Sequence, residues 1–432
     1  MSLRTLLHLH DLRKSLRQDP LEREKIQIRK FRELAEYAYR NVSFYHKKFV
    51  DAKIVPSNIR TLDDVAKIPV TTKDEIQAVP MSEIVARNVD LKKCVKHITS
   101  GSTGIPLTVV LEKEALDIER ALVARTYFED GYKLWHKMIR IVDTHDFPMS
   151  RSWYQHLGIA RTKYLSTFDE AEEQMRTIER YKPDGVRGFA SYLERLAHFC
   201  RQSGREMRLQ TVFTSADLLD KGARELINSV FHTSLFDLYV STEFGLAAWE
   251  CRGHFGYHIN SETVLLETLR NGEVVYSNER GEITCTNLVN TAMPLIRYKT
   301  GDIGMRMDER CPCGNTLPLL KIIEGRTGDF LTTMDGKVIP PTIFFPYPFE
   351  NFAWIKQFRI IQEKLDRIVI QLVPKENVQL DPEIFDKAKT AIKEVFGKDM
   401  NVEIQILDKI GRDPRNKLRK VISKVPVSFD RS

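Results

Sequence analysis

The sequence lacks the features that mark membrane, exported and repetitive proteins. Its 432 residues contain no run of roughly 18 apolar residues, so we expect no transmembrane helix. The N-terminal segment has a short apolar patch, but His and Asp interrupt it and no small-residue cleavage site follows, which argues against a signal peptide. The chain has no internal repeat and no low-complexity tract. We therefore expect a cytoplasmic globular protein without a membrane partner.

Several signatures of phosphate and metal chemistry are missing as well. The P-loop pattern GxxxxGK[ST] requires a lysine, and the Gly- and Ser-rich stretch TSGSTGIP at 99–106 has none. The zinc-protease pattern HExxH does not occur, which argues against zinc-dependent hydrolysis. The six cysteines lie in a long chain without an export signal, so a disulfide framework is not expected.

The charge pattern argues against a nucleic-acid-binding protein. The net charge is +7, and Lys and Arg are scattered among acidic residues rather than concentrated. The richest basic run is RDPRNKLRK at 412–420, which by itself would suit a nucleic-acid patch. A modest positive charge over the whole chain also suits an enzyme that binds polyanionic nucleotides, and we favour that interpretation.

The order of predicted elements indicates an α/β fold followed by a smaller α+β unit. Residues 112–130 have the pattern of a helix, and strands alternate with helices from 138 to about 241, which favours a mostly parallel sheet. A hairpin is predicted at Asn271-Gly272, a turn that two-residue hairpins prefer. The C-terminal unit contains a strand pair, a helix at 381–396 and one more strand.

Three polar stretches are candidates for ligand binding. The glycines of TSGSTGIP let backbone amides approach a triphosphate, although such clusters are more often plain surface turns. A buried strand leads to Tyr239 and Glu243; an aromatic ring can stack on a base and a carboxylate can hold Mg²⁺, but a polar strand end is the simpler interpretation. Asp302 follows a glycine, where it could accept both hydroxyls of a ribose or be an ordinary turn residue.

Eight stretches, in order along essentially the whole chain, resemble the characteristic segments of one family. They are SFYHKKF, IPVTTKDEI, TSGSTGIP, YVSTEFG, MPLIRYKTGDIG, CPCG, IIEGRTGDF and a C-terminal Lys. The chain is therefore similar to the adenylate-forming superfamily, and within it to the branch of phenylacetate–CoA ligases, CapK-like proteins and coenzyme F390 synthetase-like proteins. This resemblance implies ATP-dependent adenylation of an aryl or acyl carboxylic acid to acyl-AMP, with release of pyrophosphate, and then transfer to the thiol of coenzyme A.

The resemblance also implies two domains with different roles. Residues 1–327 would form a large N-terminal domain of mixed and parallel sheets and helices that binds ATP and the acyl substrate. Residues 328–432 would form a small α+β domain, a mobile lid that rotates after adenylation. Departures from the family motifs concern the phosphate contacts and the hinge, and they lie at Ile105, Val240, Gly328 and Asn416.

The resemblance assigns roles to the motif residues. Lys417, from the small domain, would bridge the substrate carboxylate and the phosphate oxygens, although a lysine in a basic run could equally be solvated. Glu243 would hold Mg²⁺ and Thr242 would touch the α-phosphate, while Asp302 would bind the ribose with help from Arg326. The loop residues that would cover the β- and γ-phosphates are Ser100, Gly101, Ser102, Thr103 and Gly104. The residues that would frame the adenine or complete the nucleotide site are Ser215, Ala216, Asp217, Tyr239 and Ser241.

A second group of residues is a candidate zinc site. Its members are Cys251, His258, Cys311 and Cys313. Three thiolates and one imidazole suit a tetrahedral Zn²⁺, and a closed set of four ligands would make that zinc structural. His254 competes with His258 as the fourth ligand, and the resemblance favours His258. The alternative is that these cysteines are free thiols in a reducing cytosol.

Two other functions stay open at this point. An adenylating ligase could pass the acyl group to a carrier protein, an amine or a cofactor instead of CoA, and a non-catalytic homologue could bind nucleotide as a scaffold or sensor. The resemblance also suggests a homodimer. Candidates for the acyl pocket, where core packing explains aromatic residues equally well, are Trp153, Tyr154, Phe213 and Phe244.

Overall fold

The structure, a computed structural model, covers most of the chain. The described residues are 2–99, 107–142, 147, 153–326, 330–339, 355–374, 382–411 and 419–425. Within these ranges the strands form a twelve-stranded sheet, a four-stranded sheet and two two-stranded hairpins. No helix in the same ranges is long and apolar enough to cross a membrane.

One part of the large sheet is parallel, as the alternation of strands and helices predicts. Its strands are β3 (Lys137–Val142), β4 (Arg161–Ser166), β5 (Gly185–Gly188), β6 (Thr211–Ser215) and β7 (Leu235–Ser241). They pair in parallel in the order β4-β3-β5-β6-β7. The helices between them in sequence are α8 (Trp153–His156), α9 (Ala171–Tyr181), α10 (Ala190–Ser203) and α11 (Lys221–Phe231). The apolar faces of α9, α10 and α11 share one buried cluster with the strands, as Leu196 of α10 and Val212 of β6 illustrate.

The rest of the large sheet is antiparallel. Its strands are β8 (Gly245–Glu250), β9 (Tyr257–Ile259), β10 (Val264–Arg270), β11 (Glu273–Val274), β12 (Arg280–Asn287), β13 (Tyr298–Met307) and β14 (Leu319–Arg326). They follow β7 in the order β8-β9-β14-β13-β12-β10-β11. The predicted hairpin is confirmed, because β10 and β11 pair across Asn271 and Gly272, whose φ values are 54° and 85°.

Helices of the N-terminal region cover the large sheet. They are α1 (Leu3–Ser15), α2 (Pro20–Asn41), α3 (Ser43–Asp51), α4 (Leu62–Ala66), α5 (Lys73–Gln77) and α6 (Met81–Ile84), with 3-10 turns at Pro56–Asn58 and Leu91–Lys93. Capping boxes start two of them, with Thr61 and Asp64 at α4 and Thr72 and Glu75 at α5. The hairpin of β1 (Val95–Ile98) and β2 (Thr108–Leu111) follows, and α7 (Lys113–Glu129) matches the helix predicted at 112–130.

The C-terminal residues form a separate α+β unit, as predicted. Its elements are β15 (Leu331–Thr332), β16 (Val338–Ile339), β17 (Ile355–Lys364), β18 (Arg367–Pro374), α12 (Pro382–Phe396), β19 (Asn401–Ile406) and β20 (Val421–Ser423). The four-stranded sheet has the order β19-β18-β17-β20, and Ile392 and Phe396 of α12 pack on its Ile370. The predicted domain boundary at 327/328 lies outside the described residues, so this division stays a prediction.

Candidate nucleotide and metal sites

The first group of predicted site residues forms a tight turn at the end of β7. The apolar strand leads directly into Ser241, Thr242 and Glu243, all of which are half-buried. The backbone N–H of Phe244 donates to Oγ of Ser241 at 3.1 Å, which closes the turn. The amide of Asn287 donates to the carbonyl oxygen of Glu243 at 3.2 Å. The backbone that presents Thr242 and Glu243 is therefore held from two sides.

Tyr239 joins this turn to the predicted ribose-binding residue. Its hydroxyl donates to Oδ2 of Asp302 at 2.7 Å, although three strands lie between β7 and β13 in the sheet order. Burial, and then the carboxylate of Asp302, raise the pKa of Tyr239 well above its ordinary value. Because the phenol keeps its proton, it can act as a donor that orients Asp302.

The strand pair β13–β14 sets the position of Asp302. Gly301 has φ +76°, a left-handed conformation that favours glycine, and among the described residues other than its chain neighbours no atom lies within 4 Å of the place where a Cβ would be. The backbone N–H of Asp302 donates to Oγ1 of Thr300 at 3.1 Å. Arg326 pairs with Asp302 in the antiparallel register, so the two predicted ribose-binding residues are backbone neighbours.

The predicted adenine-framing residues follow β6, next to β7. Ser215 is buried at the end of the strand, and Ala216 is exposed with φ +69°, a conformation that is unusual for a residue other than glycine. Asp217 accepts hydrogen bonds from the backbone N–H and the hydroxyl of Ser191, at 3.2 and 2.6 Å. These bonds tie the turn to the start of α10. The role of Ser191 was not predicted, because its partner lies on a different crossover.

The predicted phosphate-binding stretch follows β1 and precedes β2 in the sequence, and these two strands pair in an antiparallel hairpin. The backbone N–H of Thr99 donates to the carbonyl oxygen of Leu107 at 2.9 Å, and the N–H of Leu107 donates to Oγ1 of Thr99 at 2.8 Å. Val109 of the stem packs in the same buried cluster as Phe244 and Tyr298. The strands on either side of this stretch are therefore anchored in the same core as the residue that follows Glu243. The predicted phosphate-binding residues, which lie outside the described residues, are Ser100, Gly101, Ser102, Thr103 and Gly104.

Two predicted residues of the mobile domain also fall outside the described ranges. Lys417 and Gly328 are both in this group, so the assignments of bridging cation and hinge stay predictions. The side chain of Arg326 is likewise not described.

The candidates for the acyl pocket divide into core and surface residues. Phe213 is fully buried and its ring stacks on Tyr127 with centroids 4.3 Å apart, and Phe244 is also buried. These two rings are core residues in this structure. Tyr154 is half-buried, whereas the side chain of Trp153 is not described.

Glu119 of α7 is a further polar side chain, close to the turn that contains Glu243, that was not predicted from the sequence. A Cβ on Gly245 would lie 2.7 Å from its Oε1, so the carboxylate occupies the space that Gly245 leaves open. Burial raises the pKa of Glu119 to about 7. Among the described residues, none forms a hydrogen bond with this carboxylate. An acid on the sheet-facing side of a helix is the sequence signal that could have found it.

The predicted zinc ligands do come together. Sγ of Cys251, Nε2 or Nδ1 of His258, and Sγ of Cys311 and of Cys313 all lie within 4.8 Å of one another. The two sulfurs of Cys251 and Cys311 are 3.6 Å apart, and Sγ of Cys313 is 3.4 Å from Nε2 of His258. Tetrahedral zinc bonds of ordinary length place two sulfurs about 3.8 Å apart and a sulfur and a nitrogen about 3.6 Å apart. The four side chains therefore fit a zinc ion with little movement.

His254 points away from this cluster. Its Nε2 lies 2.8 Å from Oγ of Ser234, and its Nδ1 lies 3.6 Å from a carboxylate oxygen of Glu250. Burial lowers the pKa of His258 to about 4, so that imidazole is neutral and has a lone pair to offer. Of the two histidines between which the sequence left the choice open, the geometry favours His258.

Comparison with known sequences places the chain near two kinds of protein. Residues 331–424 match the family model of the CapK C-terminal domain. Phenylacetate-coenzyme A ligase of Thermus thermophilus is 26% identical over 348 residues, which cover 75% of this chain and 76% of that protein. Protein CapK of Staphylococcus aureus is 24% identical over 416 residues, which cover 93% of this chain and 89% of that protein. The resemblance expected from the motifs is thereby confirmed.

Comparison with solved structures confirms the fold. The crystal structure of 2-hydroxyisobutyryl-CoA ligase in the postadenylation state, with an acyl-AMP bound, aligns with a TM-score of 0.79 and 20% identity. The alignment covers 95% of this chain and 92% of that one. The same ligase in the thioesterification state aligns with a TM-score of 0.66 over 95% of this chain and 91% of that one, at 21% identity.

Proposed function

Because this chain is a homologue of the phenylacetate-coenzyme A ligases and of CapK, we propose that it is an AMP-forming acid–thiol ligase. The observation that carries the proposal is the hydrogen bond between Tyr239 and Asp302, which joins two family motifs at the end of β7. Beside it stands the Thr242–Glu243 turn. The arrangement supplies a carboxylate for a ribose and a carboxylate for a metal within one short stretch of surface.

The reaction solves a problem of leaving groups. A carboxylate resists attack because oxide or hydroxide would have to leave. In the first step a carboxylate oxygen attacks the α-phosphorus of ATP. The bond between the α-phosphorus and the oxygen that bridges it to the β-phosphate breaks, and pyrophosphate leaves with the electron pair of that bond. In the second step the thiolate sulfur of CoA attacks the acyl carbon, the carbon–oxygen bond to phosphate breaks, and AMP leaves.

Negative charge on the α-phosphate oxygens is the main obstacle in the first step. Preorganised donors and cations are worth about 3 kcal/mol each when they are aimed at such a charge. Glu243 would hold Mg²⁺, which neutralises phosphate charge when it is bound, and the hydroxyl of Tyr298 lies 3.5 Å from Oε1 of that carboxylate. Thr242 would donate to the α-phosphate, and Lys417 would approach from the small domain.

The nucleoside would be held by the two strand ends that Tyr239 connects. Asp302 would accept both ribose hydroxyls, with its carboxylate oriented by the phenol, and Arg326 lies opposite it in the β-ladder. The adenine would lie against the turn after β6, with Ser241 completing the site. The residues of that turn are Ser215, Ala216 and Asp217. The β- and γ-phosphates would meet the loop that contains Thr103 and its neighbours.

The decisive experiment identifies the products. The protein is incubated with ATP, Mg²⁺, CoA and a mixed library of aryl and acyl acids, and mass spectrometry detects AMP and the new thioester. Exchange of labelled pyrophosphate into ATP, measured one acid at a time, then reports the first step alone. Glu243→Gln is expected to suppress both signals, whereas Glu309→Gln, an exposed acid, serves as the matched control. If none of the acids stimulates exchange of pyrophosphate into ATP, the proposal is contradicted.

An acceptor other than CoA is the alternative to this proposal. The acyl group would then pass to an amine, a cofactor or a carrier protein after the same adenylation. Acid-dependent pyrophosphate exchange without a CoA thioester would indicate this alternative. ATP binding in calorimetry without any exchange would indicate a non-catalytic homologue.

The thiol cluster fits a structural zinc. We infer that Cys251, His258, Cys311 and Cys313 hold one Zn²⁺, whose bonds to three thiolates and one imidazole would tie the β8–β9 and β13–β14 connections to strand β9. Four protein ligands leave no open position, so the ion would take no part in the reaction. ATP, CoA and reduced thiols coexist in the cytoplasm, where we place the enzyme. The expected homodimer stays a prediction, which light scattering would check.

A further inference from the structure

An ion-pair cluster joins the C-terminal unit to the parallel sheet. Lys420 immediately precedes β20, and its Nζ lies 2.9 and 3.2 Å from the two carboxylate oxygens of Glu194 in α10. The same nitrogen lies 3.2 Å from Oδ2 of Asp220, the N-cap of α11. The lysine thus bridges two helices of the large sheet from a strand of the small one.

Burial makes this cluster different from the surface ion pairs of the chain. The side chain of Lys420 is 20% exposed, that of Glu194 21% and that of Asp220 8%. Although burial alone would lower it, the pKa of Lys420 is raised by Glu194 and Asp220. A partly buried charge that loses its partners is costly, so the cluster favours one arrangement of the small sheet over those that separate its members.

Both ends of the bridge are anchored independently of it. Oδ1 of Asp220 accepts from the backbone N–H of Ala223 at 2.9 Å, which holds the acid at the start of α11. The carbonyl oxygen of Lys420 accepts from the N–H of Ile360 in β17 at 2.8 Å. The ion pair therefore fixes the start of β20 relative to the start of α11, because the backbone at each end has its own hydrogen bonds.

Lys417 stands three residues before Lys420. A chain segment of that length spans at most about 10 Å, so holding Lys420 restricts where Lys417 can be. The structure also aligns better with a related ligase in its postadenylation state than with the same ligase in its thioesterification state, with TM-scores of 0.79 and 0.66. The cluster is formed in the arrangement closer to the first of these.

We propose that Lys420 is a positioning residue which, through Glu194 and Asp220, holds the small domain in the arrangement used for adenylation. The contact must break before the thiol step, so it favours the first half-reaction over the second. This inference rests on the proposed function. It assigns Lys420 no contact with the substrate. The property to measure is therefore the effect of a substitution on the rate of adenylation compared with its effect on the rate of thioester formation.

The test compares Lys420→Met with Lys424→Met. Lys424 also lies just beyond the same short strand, but its Nζ lies 3.4 Å from Glu363 of the same unit and its side chain is 60% exposed. We expect Lys420→Met to slow acid-dependent pyrophosphate exchange about tenfold and to leave thioester formation from supplied acyl-AMP unchanged or faster. Lys420→Arg should restore exchange, and Lys424→Met should change neither rate.

Two further measurements keep the inference falsifiable. Asp220→Asn retains a helix cap while removing one charge, so it should slow exchange without a large loss of stability. X-ray scattering of the substrate-free protein should show a larger radius of gyration for Lys420→Met than for wild type. Equal losses in both half-reactions, or unchanged exchange with an unchanged scattering curve, would overturn the inference. If wild type shows no exchange with any acid, the proposed function fails, and scattering alone decides whether the cluster holds the domain.

Discussion

The two ligand sites of this molecule differ in how completely one part of the chain assembles them. All four thiol-cluster ligands come from the residue after β8, from β9 and from the β13–β14 connection, and their ligand atoms already lie within 4.8 Å of one another. The candidate nucleotide site has Tyr239 and Asp302 in contact, but the cation that we propose for it, Lys417, would be supplied by the small domain. A structural metal needs a closed, permanent set of ligands, whereas a two-step enzyme benefits from a site that it can take apart.

The candidate nucleotide site should lose almost all of its adenylation activity when Lys417 is replaced. Lys417→Ala is expected to lower acid-dependent pyrophosphate exchange by about 100-fold or more, because it removes a cation aimed at the developing phosphate charge. Thioester formation from supplied acyl-AMP and the melting temperature should change little. Lys409→Ala, at an exposed position of the same unit, is the control. Exchange at the wild-type rate would remove Lys417 from this role.

Loss of a ligand from the thiol cluster should lower the stability of the protein rather than the rate of the reaction. The protein purified without chelator is expected to contain one zinc per chain, and Cys311→Ser should lose it and melt about 5 °C lower. Cys94→Ser is the matched control, since that thiol is half-buried and is not a member of the cluster. Metal analysis by plasma mass spectrometry gives the zinc content. Wild-type protein without zinc would end the metal hypothesis.

Substitution of Asp302 tests whether the residues of the large sheet bind the ribose of ATP. Asp302→Asn removes one charge and is expected to raise the KM for ATP about tenfold in pyrophosphate exchange, the loss typical of one hydrogen bond to a charged group. Tyr239→Phe should have a smaller effect in the same direction, because it only frees the carboxylate to rotate. Asp308→Asn, an exposed acid just beyond β13, should leave the KM unchanged. An unchanged KM in Asp302→Asn would contradict the ribose assignment.

Local signals account for what could be predicted from the sequence. The hairpin at Asn271-Gly272 and α7 (Lys113–Glu129) follow from turn chemistry and periodicity within a few residues, and both are confirmed. β20 was not predicted, because its three residues have no pattern of their own and become a strand only by pairing with β17. A strand this short is specified by its partner rather than by its own residues.

Long-range contacts account for what could not be predicted. The motifs marked Tyr239 and Asp302 as site residues, but nothing in the spacing indicates that residues 63 positions apart hydrogen bond to each other. Ser191, Glu119 and Lys420 lie outside every motif, and their partners are set by how helices cross the sheet. The resemblance therefore predicted the chemistry of the site, while the packing determines which side chains hold it in place.

The smallest effect on the reaction is expected at Glu119, which should change the free energy of unfolding and its dependence on pH rather than a rate. The folded pKa of Glu119 is about 7, above the ordinary value of 4.5, because burial disfavours the carboxylate. Below pH 4.5 the acid is neutral in both folded and unfolded chains and costs nothing. As pH rises towards 7 the unfolded chain ionises more readily, so Glu119 increasingly destabilises the fold. Glu119→Gln should therefore be up to about 3 kcal/mol more stable than wild type at pH 8 and close to it near pH 4.5 in urea unfolding. A difference that does not change with pH would show that the pKa of the Glu119 carboxyl is not raised in the folded protein, and the placement of this half-buried acid against Gly245 would be wrong.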